Sequence, residues 1–466
     1  MKEFTGSGSR AVCEVEEKRE IIEKLAKEIW ENPEYGFQER IACEKTAEVL
    51  RNAGFQVETG AGGVPTAIRA QWGSGRPVVG FLGEYDALPG LSQKVSDHKE
   101  PVTEGACGHG CGHNLLGAAA VGGALGMKAE LEEKGLPGTV VFYGCPGEEV
   151  LCGKPFMAKG GCFFELDLAL TWHPGQVNQA SVSVFSACSG VKFHYTGVTS
   201  HAAGDPWNGR SALDAVQLLN LGTEFMREHV SPQVRIHYSI IDGGGAPNIV
   251  PGKASVWYYI RALDRNTVNQ VYNRLVKAAE GAAMMTETQL EIQYMGGCYP
   301  MVGNEVLAEA MNQVMREIEA EEWTAEEQQW ARAMNQSAEA QRATVAKAFG
   351  LDPDAQLFTG VAPIGKEIIY ASTDVGDVAH IVPTTMATIA TANLGAPGHS
   401  WQIVSSSGGS IGLKGMVYAA KILAATGVRL AENPDLVKKA KEEFDAMMAG
   451  ESYICPIPEG MEIPKG

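Results

Sequence analysis

Val78-Val-Gly-Phe-Leu-Gly-Glu-Tyr-Asp-Ala-Leu-Pro89 is the stretch that decides the fold. Val78 to Gly83 is an unbroken apolar run, short enough for a strand and without the alternation of a half-wet one. It ends in Glu84 and Asp86, and Pro89 closes it. Two more such runs follow, Gly138 to Tyr143 and Leu168 to Trp172. Leu115 to Leu131, between the first and second, is too long for a strand. Its many Ala and Gly residues predict a helix that packs closely. Strand, helix, strand implies an α/β fold, a mostly parallel sheet with helices on both faces. Catalytic groups in such sheets lie at the carboxyl ends of strands. Glu84, Asp86, Glu149 and His173 all fall just after an expected strand.

Upstream, residues 14 to 53 read as helical. Ile21, Ile22, Leu25, Ala26 and Ile29 have helical spacing, and Asn32-Pro33 stops that helix. A second helix, from about Ala42 to Ala53, ends at Gly54. Downstream, the pattern changes near residue 187. Val191 to Thr196 alternates like a half-exposed strand, and Ser211-Ala-Leu-Asp214 is a capping box for a helix to about His229. Strands follow at Val234 to Ile241 and Lys253 to Ala262, then a helix from about Thr267 to Met285 and a strand from Gln289 to Tyr294. This order predicts an inserted ferredoxin-like α+β module over residues 187–303. The catalytic domain is then discontinuous, residues 1–186 and 304–466. Residues 313 to 348 read as a solvated helical hairpin with one apolar seam. Thr324-Ala-Glu-Glu327 is its capping box, and Trp323 and Trp330 are its aromatics. The proline-rich stretch from Cys455 to Gly466 reads as irregular.

The chain has 466 residues, 45% hydrophobic and 20% charged, with a formal net charge of −18. That composition is globular, and the length suggests two or three domains. An acidic surface repels phosphate backbones and anionic lipid, so neither nucleic acid nor membrane is an expected partner. The cysteines outside residues 107–111 are scattered singly, which fits a reducing cytoplasm better than a disulfide framework. Met1 to Arg10 has no apolar core of the signal-peptide kind, and no run long enough to span a membrane is apparent.

The chemistry concentrates in Cys107-Gly-His-Gly-Cys-Gly-His-Asn114. Alternate residues on a tight glycine turn can aim Cys111 and His113 at one ion. Cys107 and His109 share the spacing, but the second triplet abuts the helix and is preferred. Glu148-Glu149 follows a strand, so one carboxylate can bind metal while its neighbour takes a proton from water. The bland reading is a solvated acidic loop. His173 and His399 are weak signals alone and gain weight beside the others. Thiolate, imidazole and carboxylate together suit zinc or a borderline ion such as manganese. Asp86 is either a turn residue before proline or a hydrogen-bonded support for a ligand histidine. In the inserted module, His201 can donate to a tetrahedral oxyanion, Asn248 can bind a carbonyl, and Arg261 a substrate carboxylate. A zinc-ribbon module fails, because the triplets lack two separated knuckles.

Asn32-Pro33-Glu34, Asp86-Ala-Leu-Pro89, Cys111-Gly-His113, Glu148-Glu149, Ser200-His-Ala202, Pro247-Asn-Ile-Val-Pro251 and Gly398-His-Ser400 occur in that order. In this the chain resembles the aminoacylase/carboxypeptidase family of dinuclear metallohydrolases, in its amidohydrolase branch. The resemblance implies two divalent metal ions, Mn2+ or Zn2+, held by Cys111, His113, Glu149, His173 and His399, with Glu148 as general base. It implies a homodimer through the inserted module, with His201 reaching the partner's active site. It implies hydrolysis of an amide between an acyl or aroyl group and an amino acid, aminobenzoyl-glutamate being the first such substrate. The alternatives are a short-dipeptide metallopeptidase, or a subunit active only in a heteromer with a paralogous chain. The chain departs from the peptidase branches, which carry histidine where Glu84 stands and a bridging aspartate where Cys111 stands.

Overall fold

Val78–Glu84 is a strand at the centre of a seven-stranded sheet. The structure is a computed structural model that describes residues 4–464. The sheet runs Gln56–Thr59, Ile68–Ser74, Gly138–Cys145, Val78–Glu84, Leu168–Gly175, Thr384–Ala390, Gln179–Ser181. Its four middle strands are parallel, with Val78 opposite Thr139, Val79 opposite Leu168, and Thr384 opposite Ala169. The flanking strands on both sides pair antiparallel. Every residue of Gly138–Cys145 is buried, so helices cover this strand on both faces. The sheet is the expected mostly parallel one, with strands that sequence reading did not find. Gln56–Thr59 is a polar edge, and Thr384–Ala390 hides its burial behind Thr and Ala.

The helix His113–Lys134 carries His113, one of the expected ligand residues, at its first position. Gly112 before it has φ +75°, a conformation that costs an L side chain strain, and a Cβ there would meet Pro174 at 2.9 Å. Small residues then seat the helix against Ser410–Glu432. A Cβ on Gly122 would lie 2.8 Å from that of Ala420, and one on Gly126 would lie 2.7 Å from that of Ala424. Among the described residues, Ser410–Glu432 is the one helix long and apolar enough to cross a membrane, and 94% of its most apolar window is buried inside the protein.

Near the N-terminus the helices are Ser9–Glu17, Arg19–Glu31 and Arg40–Asn52. The carboxylate of Glu34 accepts the N–H groups of Arg40, Ile41 and Ala42, capping the third of them from outside. Residues 313 to 348 are helical, but their first residues end a helix of the main core. Glu305–Glu317 buries Leu307, Met311, Val314 and Met315 in the main core. Ala325–Asn335 opens with the full Thr324–Glu327 capping box, and Glu339–Ala348 follows it.

The chain divides into two units. The larger runs to Ser183, resumes over Val302–Glu367, and resumes again from Asp377. The smaller holds Val184–Met301 and also Ile368–Gly376. The smaller unit has a four-stranded antiparallel sheet in the order Gln289–Cys298, Ala187–Thr196, Lys253–Ala262, Arg235–Asp242. Helices Ala212–Arg227 and Arg265–Thr286 share its apolar core with Val191, Phe193, Val256 and Tyr258. This is the ferredoxin-like order. Ser211 caps the first helix by accepting from Asp214 N–H.

Candidate metal centre

The parallel strands deliver their chemistry at one end. Val78–Glu84 leads to Glu84 and Asp86, and Gly138–Cys145 leads to Glu148 and Glu149. His173 lies inside Leu168–Gly175, two residues before its end, and His399 follows Thr384–Ala390 across a loop. The loop before His113–Lys134 brings in Cys111.

Within the larger unit these side chains meet. Ligand atoms of Cys111, His113 and His173 lie within 4.8 Å of one another, as do those of Cys111, Glu149 and His399. Cys111 Sγ is 3.3 Å from His173 Nε2, and His399 Nε2 is 3.6 Å from Glu149 Oε2. Cys111 thus stands between two sets of donors. A third set, Glu84, His113 and Glu148, satisfies the same limit.

Hydrogen bonds fix which atoms face inward. His113 donates Nδ1–H to Asp86 Oδ1 at 2.9 Å, which leaves Nε2 facing the cluster and able to coordinate. His173 donates Nδ1–H to the carbonyl of Pro174 at 2.7 Å, with the same result. The second oxygen of Asp86 accepts the N–H of Glu149 at 2.9 Å. His113 Nε2 and Glu149 Oε1 are buried without a hydrogen-bond partner. Two orphaned buried lone pairs facing a thiol and two further imidazoles are what a divalent cation fits.

Electrostatics point the same way. Burial, with His113 nearby, pushes His173 down to about 4 and also lowers His399, so both imidazoles are neutral at pH 7. Burial lifts the carboxyl of Glu149 to about 7. Burial, with Glu149 beside it, drives the Cys111 thiol far above its usual range. Burial opposes the charged form of His113, yet Cys111 and Asp86 outweigh it and raise this imidazole. A bound divalent ion reverses such a balance and deprotonates a coordinating thiol outright.

His109 turns away: buried, it donates Nε2–H to the carbonyl of Ile29 at 3.2 Å. Two residues without any motif complete the support. Buried Lys154 lies 2.6 Å from Glu84 Oε1. Buried Glu39 accepts the N–H of Gly147 and the hydroxyl of Thr66, each at 2.8 Å, bracing the turn before Glu148. A lone lysine after a loop and a glutamate in a charged run give no sequence signal.

A cavity of about 260 Å3 adjoins the cluster. Cys111, His173 and His399 form its polar end, and Val177, Val345, Phe349 and Ile403 its apolar wall. The other expected residues lie in the smaller unit. His201 is exposed, and its Nδ1 accepts the N–H of Gly204 at 2.9 Å, leaving Nε2–H as a donor. Asn248 is exposed beside it, its carbonyl accepting the N–H of Ala202. Arg261 is half-buried and donates to the hydroxyl of Ser372 at 2.5 Å.

The profile of the family M20_dimer, described as a peptidase dimerisation domain, matches residues 187–284. The chain is 40% identical to one of the subunits of the p-aminobenzoyl-glutamate hydrolase of Escherichia coli (strain K12), an alignment that covers 96% of each chain. It is 28% identical to the Xaa-Arg dipeptidase of Homo sapiens, over 95% of this chain and 93% of that one. Among solved structures, a dinuclear metal-binding peptidase of the M20 family from Bacillus subtilis superposes with a TM-score of 0.56. That match has 14% identity and covers 90% of this chain and 99% of the other, a likeness of fold. With its fold, its donor cluster and a full-length relative at this identity, the chain belongs to the M20 family of metallopeptidases and amidohydrolases, and it is a hydrolytic enzyme.

Proposed function

We propose that the chain hydrolyses the amide bond between an acyl or aroyl group and an amino acid. The observation that carries this is the meeting of Cys111, His113, Glu149, His173 and His399 around two buried lone pairs that lack partners. Cys111, His113 and His173 would hold one divalent ion, and Cys111, Glu149 and His399 a second, with the thiolate shared. Mn2+ and Zn2+ both accept this mixed donor set. Bound ions supply Lewis acidity, polarising the scissile carbonyl and making water acidic. Glu148, buried beside His113, takes the proton of the attacking water and returns it to the leaving amine. In a dimer built through the smaller unit, Nε2–H of His201 donates to the oxyanion of the partner's reaction, and Asn248 to its carbonyl. Arg261 pairs with the carboxylate of the amino-acid half.

The apolar wall of Val177, Val345, Phe349 and Ile403 beside Cys111 suits an aromatic acyl group. With the Escherichia coli hydrolase as a relative, it favours p-aminobenzoyl-glutamate as substrate, ahead of dipeptides. That relative is one chain of a multi-subunit enzyme, which also supports a second reading, in which this chain works only beside a paralogous partner. Purified chain loaded with Mn2+ or Zn2+ and assayed on p-aminobenzoyl-glutamate, other N-acyl amino acids and dipeptides tests both. Hydrolysis by the chain alone supports the first reading. Activity that emerges only with the partner chain supports the second. A chain that binds neither metal overturns the metal-dependent reading.

A further inference from the structure

Glu84 stands where the peptidase branches carry histidine, and the ligand set proposed above leaves it idle. It is 2% exposed, at the end of the central strand, among the least solvated carboxylates in the protein. Its Oε1 is 2.6 Å from the ammonium of Lys154, which is fully buried on the helix Gly153–Lys159. Its Oε2 points the other way, 3.3 Å from His113 Nε2. That nitrogen is fully buried, has no hydrogen-bond partner, and has been turned inward by Asp86 on the opposite edge of the ring.

We infer that Glu84 is a further metal ligand, joining His113 on the ion that this imidazole holds, and that Lys154 is the positioning residue that aims it. The inference rests on the metal-dependent reading above and adds a donor to it. Two ligand atoms each about 2.1 Å from a tetrahedral ion lie roughly 3.4 Å apart. The 3.3 Å between Glu84 Oε2 and His113 Nε2 is close to that edge. Glu84 and His113 therefore already have ligand spacing. An ammonium on Oε1 holds one oxygen and leaves the other, with its lone pairs, toward the imidazole.

Charge supplies a second argument. The carboxyl groups of Glu84, Asp86, Glu148 and Glu149 crowd one buried region, and Lys154 is the ammonium placed against Glu84 there. Such an excess of anion is costly in a low-dielectric interior unless cations balance it. Divalent ions inside the cluster do so. A plain ion pair between Glu84 and Lys154 leaves both the excess and the orphaned nitrogen unexplained.

Metal binding tests the inference directly. Wild-type protein, stripped and titrated with Mn2+ and separately with Co2+, is compared with Glu84→Gln and Lys154→Met, circular dichroism verifying the fold of each. The expected result is two ions bound by wild type. Glu84→Gln weakens one of them at least tenfold and leaves the other, with a changed cobalt ligand-field spectrum. Lys154→Met weakens the same ion by less. Two ions bound by both variants with unchanged affinity and spectrum overturn the role of Glu84 while the metal reading stands. A wild type that binds none overturns both. A second measurement needs no variant: in a crystal soaked with Zn2+, Glu84 Oε2 is expected at about 2.0–2.2 Å from the ion. An oxygen more than about 3 Å away, outside any zinc ligand distance, overturns the assignment.

Discussion

Asp86 receives Nδ1–H of His113 on one oxygen and the backbone N–H of Glu149 on the other, so one carboxylate aligns donors from two loops. Asp86→Ala should therefore lower metal affinity about 10–100-fold without touching a ligand, read by titration of stripped protein. Glu148→Gln should keep both ions and reduce turnover roughly 10^2–10^4-fold; metal analysis beside a hydrolysis assay separates the two. Glu39 offers a test of pH. Burial, with Asp86 adding, lifts its carboxyl to about 8, against about 4.3 in an unfolded chain. The folded protein then holds a proton that the unfolded chain has lost. Stability from this group is full below about pH 4.3 and drains away as pH rises through about 8. Urea midpoints of metal-free Glu39→Gln should lack that share of the decline; curves parallel to wild type would contradict it. The donors themselves were legible because cysteine, histidine and glycine rarely crowd together without purpose. Glu39 and Lys154 were not, because a single charged residue reads as surface until its burial is seen.

Periodicity carried most of the elements. The apolar runs at Val78, Gly138 and Leu168 became the central strands, and the alternating order after residue 187 became the smaller unit's sheet. What it lost follows from packing. Glu305–Glu317 faces the core with Leu307, Met311 and Val314, and only its last residues fall in the charged stretch read from 313. Ile368–Gly376 returns to the smaller unit through backbone pairing of Ile368 with Val184, and no local composition announces such a return. The glycines of His113–Lys134 are readable as a request for closeness, and the structure supplies the neighbour. Gly126→Leu would drive carbon into Ala424 and the carbonyl of Ala11, each 2.7 Å from the position of a Cβ. It should cost about 1–3 kcal/mol, measured by chemical denaturation, and blur the placement of His113 at the helix start.

At the scale of the molecule, the smaller unit presents an apolar sheet edge. Its edge strand Arg235–Asp242 exposes Tyr238, Ile240 and Ile241, and Ala212–Arg227 exposes Leu221 and Phe225. An open strand edge with apolar side chains invites pairing with another chain. In the dimer proposed above, Ile240→Lys should shift the equilibrium toward monomer in light scattering. The donor cluster, too, is uneven in its contact with water. The imidazole of His113 is fully buried, whereas that of His399 is 57% exposed on a residue whose φ is +52°. Left-handed backbone at a non-glycine residue is held only while its surroundings insist on it. Of the two proposed sites, the one closed by His399 therefore has a solvent-exposed outer wall and the other does not. Loss of cations to a competing scavenger would be sequential, a fast departure past His399 and then a slow one, giving a long-lived half-loaded enzyme.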